Sequence, residues 1–169
     1  MGDTLFWTGQ AVGALAAMLG VLAFQMPRRT PMLATLGASA LAWSLHFLLL
    51  AAPAAAGINL VTALRNFCGI RLRAPALALL FIAFYVAAAV IGWKNIWDLL
   101  PLAAVVLGTL SVFRLEGLAA RSGFLAGSLL WVIYNTYVGS IAGVVVMLAD
   151  AGSNARFILR AMASDRAPR

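Results

Sequence analysis

Two trios of residues at helical spacing carry most of the chemistry in this chain. Asn59, Thr62 and Asn66 lie three and four residues apart, and Met147, Asp150 and Asn154 repeat that spacing. On an α-helix each trio shares one face. Amides, a hydroxyl and one carboxyl group on two helix faces can hydrogen-bond a small solute. A second pattern runs beside them. Trp43, His46 and Phe47 correspond in spacing to Trp131, Tyr134 and Asn135. These flat, partly polar groups can stack on a ring while offering hydrogen bonds. Asn66, Asn154, Asn59, Thr62, Asp150, Trp43, Trp131, His46, Tyr134 and Asn135 are therefore the candidate substrate-binding residues.

Covalent and metal chemistry find no support in the sequence. No cluster of His, Cys and carboxylates has the spacing of a metal site. No glycine-rich phosphate loop and no nucleophile elbow is present. The sole histidine, His46, reads as a hydrogen-bonded core residue rather than a catalyst. The expectation is a protein that is not an enzyme and needs no cofactor and no metal.

The elements that position these residues follow from composition. Hydrophobic residues make up 64% of the 169 residues and charged residues 10%, against roughly 25% charged in a soluble domain. That imbalance marks an integral membrane protein, embedded in a lipid bilayer. The net charge of +7 does not imply nucleic acid, because the basic residues are scattered between apolar runs and form no patch. Cys68 is the only cysteine, so no internal disulfide forms, and it reads as a small buried hydrophobe. The start, Met1-Gly2-Asp3-Thr4, lacks the basic segment of a cleavable signal peptide.

Charges, Pro and Gly divide the apolar sequence into runs that can cross a hydrocarbon layer of roughly 30 Å. They predict helices at about 5–25, 31–50, 54–71, 75–93, 97–114, 121–138 and 140–160. Only helices fit, because every backbone polar group in lipid must be satisfied internally. Arg28, Arg29, Arg65, Arg71, Arg73, Arg114, Arg121, Arg156, Arg160, Arg166 and Arg169 all fall on one side of the resulting serpentine, and Lys94 alone on the other. The positive-inside rule then puts the N-terminus outside and the C-terminus in the cytoplasm. Trp7, Trp93 and Trp97 sit near helix ends, as interfacial anchors do.

The chain also repeats itself. Trp43 recurs 88 residues later as Trp131, Leu60 as Leu148 and Asn66 as Asn154, and the pair Leu19-Gly20 recurs as Leu107-Gly108. The repeat lays helices one to three over helices five to seven. Both units start outside, so they are parallel, and helix four restores the orientation between them. Pro75 opens that linker, and between Ala76 and Gly92 its only polar side chain is Tyr85. The expected fold is all-α, with seven transmembrane helices in a three-plus-one-plus-three arrangement. Residues 1–73 form the first unit, 74–94 the linker, 95–162 the second unit and 163–169 a cytoplasmic tail. Gly9, Gly13, Gly20 and Gly37 supply close helix contacts. Pro101, opposite Gly13 in the repeat, and Gly108, opposite Gly20, are candidate hinge positions; a fixed bend fits them equally.

Asp150 is the single acidic residue near mid-membrane, where a carboxyl group faces a cavity or a partner. Either it meets a cation, a proton or a donor group of a substrate, or it pairs within the protein and fixes packing. One arrangement sets it facing a central cavity, paired with an arginine from the cytoplasmic end or cycling a proton.

Several segments resemble a known family. His46-Phe47-Leu48-Leu49, Ala63-Leu64-Arg65, Leu99-Leu100-Pro101, Val112-Phe113-Arg114, Trp131-Val132-Ile133-Tyr134-Asn135, Gly139-Ser140-Ile141 and Asn154-Ala155-Arg156-Phe157 are similar to the YgjV-type bacterial inner membrane proteins. The similarity runs from about Gln10 to Arg160. Its topology resembles that of the PQ-loop group, which includes SWEET sugar transporters, PnuC-type vitamin-precursor transporters and KDEL-type receptors. By that resemblance Asn66 and Asn154 are the third-helix asparagines of a substrate site, with Asn59 as a rival for the first of them, and Trp43 and Trp131 the aromatic walls. The implied function is a carrier of a small polar, ring-containing metabolite working by alternating access. The alternative is a non-transporting membrane receptor or assembly factor on the same fold, with a closed, dry centre. A homo-oligomer is compatible with either.

Overall fold

The computed structural model describes residues 2–72 and 77–165. Pro75, expected to open the linker helix, lies outside the described residues, as do Arg73, Arg166 and Arg169 of the positive-inside pattern. Seven α-helices follow one another: α1 (Asp3–Phe24), α2 (Arg29–Leu49), α3 (Pro53–Arg71), α4 (Leu77–Ile91), α5 (Leu99–Phe113), α6 (Gly117–Val138) and α7 (Ile141–Asp165). A short 3-10 turn, Ile96–Asp98, leads into α5. No strand occurs among the described residues. The helices fall within a few residues of the expected runs.

Four helices, α1, α2, α6 and most of α7, are both long and apolar enough to cross a membrane. The shorter apolar segments are Leu79–Ile91 and Ile96–Ser111. Helix α3 is 19 residues long but carries Asn59, Thr62, Arg65 and Asn66, which dilute its apolar character. Polar groups of this kind are tolerated in a membrane helix when they face the bundle interior.

Side chains are distributed as lipid demands. Leu, Val, Phe and Trp point outward along α1, with Trp7, Val21 and Phe24 all more than half exposed. The interior is rich in small residues, among them Ala16, Ala23, Ala40, Ala54, Ala55, Ala63, Ala104 and Ala151, beside a few large ones such as Ile58, Tyr85 and Tyr134. Lipid tails are as apolar as Leu, so burial of large groups drives nothing, and helices gain instead by close approach. Gly37 receives the Phe67 ring, Gly57 lies against Ala88, and Gly92 sits on the backbone of Ala54. Cys68 is only partly buried, at the edge of the cluster formed by Ile58, Val61, Phe81, Tyr85 and Ala89.

Neighbouring helices pack in chain order, α1 on α2, α2 on α3, α5 on α6 and α6 on α7. Helix α4 bridges α3 and α5. Two further contacts close the bundle, α1 with α7 and α3 with α5. Exchanging helices one to three with five to seven turns each of these two contacts into the other.

The offset of 88 residues reappears in the backbone. Helices α2 and α6 start at Arg29 and Gly117, and α3 and α7 at Pro53 and Ile141. Each turn between them holds one left-handed residue, Ala51 at φ 55° and Gly139 at φ 73°. The Ala52 N–H donates to the Phe47 carbonyl at 2.8 Å, and the Ser140 N–H to the Asn135 carbonyl at 2.8 Å. This is the six-residue closing bond that satisfies orphan carbonyls at a helix end. Ala51 N–H to Leu48 and Gly139 N–H to Thr136 complete the match.

Candidate functional site

Two adjoining chambers lie in the middle of the bundle. The upper one, about 170 Å³, is walled by Trp43 and Phe47 of α2, Trp131 of α6, Val105 of α5 and Met147 of α7. Its polar lining comes from Asn59, Thr62 and Asn135. The lower one, about 250 Å³, is lined by Thr62, Arg65, Thr109, Ser128 and Asp150, together with Tyr85, Gly108, Phe124 and Trp131. Thr62, Val105, Trp131 and Met147 border both.

Aromatic stacking builds the upper wall. Trp43 and Phe47 stack at 6.0 Å, and Phe47 and Trp131 at 5.7 Å with rings 25° apart. Tyr134 meets Trp131 edge-on at 6.0 Å. Such offset and T-shaped pairs fix ring orientation beyond what area burial supplies.

The polar lining is held from behind. The Asn59 Nδ2 donates to the Ala55 carbonyl at 2.9 Å, and the Thr62 hydroxyl donates to the Ile58 carbonyl at 3.0 Å while lying 3.1 Å from the Tyr85 hydroxyl. Asn135 is buried, and its Nδ2 donates to the Trp131 carbonyl at 2.8 Å. Two buried polar side-chain atoms among the described residues have no partner, Ser111 Oγ and Asn135 Oδ1. Ser111 lies against Gly123, away from the chambers, whereas Asn135 Oδ1 lies against Gly143, which itself lines the upper chamber. In the lower chamber the Ser128 hydroxyl donates to the Asp150 carboxyl group. Among the described residues no ion pair joins Asp150 to an arginine.

Other candidates sit elsewhere. His46 is fully buried, with Nδ1 2.6 Å from the Gly9 carbonyl and Nε2 2.7 Å from the Ser140 hydroxyl. It ties α1, α2 and the start of α7 together, and Gly13, expected as a soft point, is the space its ring fills. The Tyr134 hydroxyl donates to Asp98 at 3.1 Å. Asp98 also accepts the backbone N–H groups of Lys94 and Asn95. Asn66 and Asn154 are both buried but line neither chamber. Asn154 Oδ1 accepts from Arg121 at 3.2 Å, and the arginine that shares the lower chamber with Asp150 is Arg65. Pro101 stands in the first turn of α5, where its missing N–H removes no helix bond. Gly20 faces the Ser39 hydroxyl, and Gly108 lines the lower chamber.

Sequence reasoning missed Arg65, Ser128 and Thr109 as chamber residues. Arg65 had a signal, since it follows Thr62 by three residues and so flanks the same helix face. Ser128 and Thr109 carry no such mark.

The family match covers nearly the whole chain. A family model described as bacterial inner membrane protein, Imp-YgjV, matches residues 7–165. The chain belongs to this family. It is 25% identical over 143 residues to the inner membrane protein YgjV of Escherichia coli (strain K12), covering 85% of this chain and 78% of that protein. No solved structure matches. With several long apolar helices, this member of the Imp-YgjV family is a multi-pass protein of the bacterial inner membrane.

Proposed function

We propose that the chain is a carrier that moves a small polar metabolite across the inner membrane by alternating access, rather than an enzyme. The observation that carries this reading is the pair of polar-lined chambers at the junction of α2, α3, α5, α6 and α7. Solute sites between repeated helical units are the ground plan of many small carriers. The repeated turns and the exchange-symmetric contacts support two parallel three-helix units, the arrangement to which SWEET-type proteins are similar. A receptor or assembly factor would need no such chambers.

The inter-unit hydrogen bonds support a two-state reading. Among the described residues they gather at the end bearing the α2–α3 and α6–α7 turns. Gln10 Nε2 donates to the Gly139 carbonyl at 2.8 Å, and its Oε1 accepts the Ile141 N–H at 3.0 Å. His46 reaches Ser140, and from the linker Lys94 Nζ donates to the Ala51 carbonyl at 2.8 Å. On the proposed topology this end faces outward, so these bonds hold the units together at the outer end.

Proteoliposomes filled with an isotopically labelled metabolite extract test the function. At least one small polar solute should leave vesicles holding the protein and stay in vesicles holding Trp131→Ala. Retention of every solute by the wild-type protein would sink the carrier reading. Orientation is tested by cysteine labelling at positions 94 and 71 in a Cys68→Ser background. Labelling of both from one face would overturn the proposed topology.

A further inference from the structure

The two chambers differ in chemistry in a way that specifies a solute. The upper chamber is flat-walled, with Trp43, Phe47 and Trp131 around it, and its volume of about 170 Å³ is close to the roughly 150 Å³ that accepts a benzene ring. Its amides are turned to the protein through their N–H groups: Asn59 and Asn135 both donate to backbone carbonyls. Each keeps its oxygen, an acceptor, and one further N–H. Asn135 Oδ1 in particular is buried beside the chamber wall and accepts nothing. A buried acceptor without a donor is destabilising by itself, and the terminal torsion of an asparagine is soft enough to turn toward a guest. The ring that satisfies it must bear an O–H or N–H.

The lower chamber opens from the same residues, Thr62, Trp131 and Met147, and places a guanidinium and a carboxyl group around one space. Arg65 suits a planar carboxylate, which its fork of N–H donors binds in pairs. Asp150 suits an ammonium. A guest with its ring above and its tail below meets both charges.

We propose that the chambers bind a zwitterion of amino-acid type whose single aromatic ring carries a hydrogen-bond donor, as a phenol does. The ring lies against the wall formed by Trp43, Phe47 and Trp131, with its hydroxyl donating to Asn135. The tail lies between Arg65 and Asp150. The solute so assigned is the one the proposed carrier would move, so the assignment rests on that reading, and binding is measured apart from movement.

Scintillation-proximity binding of radiolabelled L-tyrosine to the purified full-length chain in detergent is the first measurement. L-phenylalanine lacks the ring donor, tyramine the carboxylate and 3-(4-hydroxyphenyl)propionate the ammonium. Each should compete about tenfold or more less well than tyrosine, because each leaves one of Asn135, Arg65 and Asp150 without its partner. This series needs no variant, so misfolding cannot obscure it. Asn135→Leu should bring tyrosine and phenylalanine to within about twofold, leaving the tail preference intact. Asp150→Asn and Arg65→Gln should each erase the corresponding tail preference. Absence of displaceable tyrosine binding, or equal competition by all four molecules, overturns the assignment. Counterflow in proteoliposomes separates the two readings. Tyrosine bound but not moved upholds the assignment against the carrier, and another solute moved without tyrosine binding does the reverse.

Discussion

The α2–α3 and α6–α7 helix pairs of this molecule match in their boundaries and divide the chemistry unequally. Their helix starts, the left-handed turn residues and the closing hydrogen bonds coincide at an offset of 88 residues. The side chains at matched positions do not. His46 stands where the second half has Tyr134, Thr62 where it has Asp150, and Phe47 where it has Asn135. The Ser39 hydroxyl donates to the Ala16 carbonyl at 2.8 Å, whereas its counterpart Gly127 brings its backbone close to the Ala104 carbonyl. The first half brings Asn59, Thr62 and Arg65 to the chambers. The second half brings Asp150, Ser128, Thr109 and Asn135, whose amide oxygen has no partner. Matched helix pairs thus surround chambers whose side chains are not matched.

The matched pair His46 and Tyr134 breaks the comparison most strongly. Replacing both by phenylalanine removes comparable polar groups at equivalent positions. His46→Phe strands the Gly9 carbonyl and the Ser140 hydroxyl and presses a larger ring on Gly13, so it should destabilise by about 3 kcal/mol. Tyr134→Phe removes one bond to Asp98, which keeps two backbone donors, and should lose about 1 kcal/mol. Unfolding in detergent measures both. Equal losses would mean that His46 is not the tie between units described here.

A second pair separates packing from chamber. Ala55 and Gly143 are counterparts, and a methyl group at Gly143 would run into Asn135 Oδ1 and the Ser140 hydroxyl. Gly143→Ala should lose about 2 kcal/mol through overpacking. Ala55→Gly, in a fully buried position, should lose about 1 kcal/mol through weaker helix propensity. A neutral Gly143→Ala would show that Asn135 has room to move.

How much of this was readable beforehand depends on the property. The helices were legible because apolar runs bounded by arginine, Pro and Gly must span or break at those points. The polar faces were legible from spacing. Which members of a face reach the cavity was not. Asn66 shares a face with Asn59 but is buried and lines neither chamber, although its neighbour Arg65 lines the lower one. Asn154 likewise falls one turn past Asp150 and meets Arg121. The partners of His46 were illegible for another reason. They come from α1 and α7, and only the closed bundle delivers them.

The cross-unit ties give a smaller effect. Gln10 reaches the turn of the opposite unit and Lys94, from the linker, the turn of the first, but Gln10 is buried and makes two bonds while Lys94 is exposed and its side chain makes one. Gln10→Leu should lose about 1.5 kcal/mol by stranding the Gly139 carbonyl and the Ile141 N–H. Lys94→Met should lose about 0.5 kcal/mol or less, because water replaces its bond. A larger loss at Lys94 than at Gln10 would contradict the burial of these ties.

The smallest expected effect concerns the turns, where the halves are most alike. Both turns need a residue in the left-handed region, with Ala51 at φ 55° and Gly139 at φ 73°. For an L-residue with a Cβ that conformation costs about 1 kcal/mol or slightly more, and glycine escapes the penalty. The first half therefore carries strain that the second has shed. Ala51→Gly should raise stability by about 1 kcal/mol less the added flexibility of the unfolded chain, and Gly139→Ala should lower it by about 1 kcal/mol. The nearest side-chain atom to a Cβ at Gly139 is Phe6 Cε2, at 3.7 Å, an ordinary contact. The loss should thus come from the backbone alone. Paired unfolding measurements with opposite signs at the two positions would establish that the same turn is built twice. If Ala51→Gly destabilises, the alanine methyl group makes a contact that outweighs the left-handed penalty, and the turns are alike in shape but not in energy.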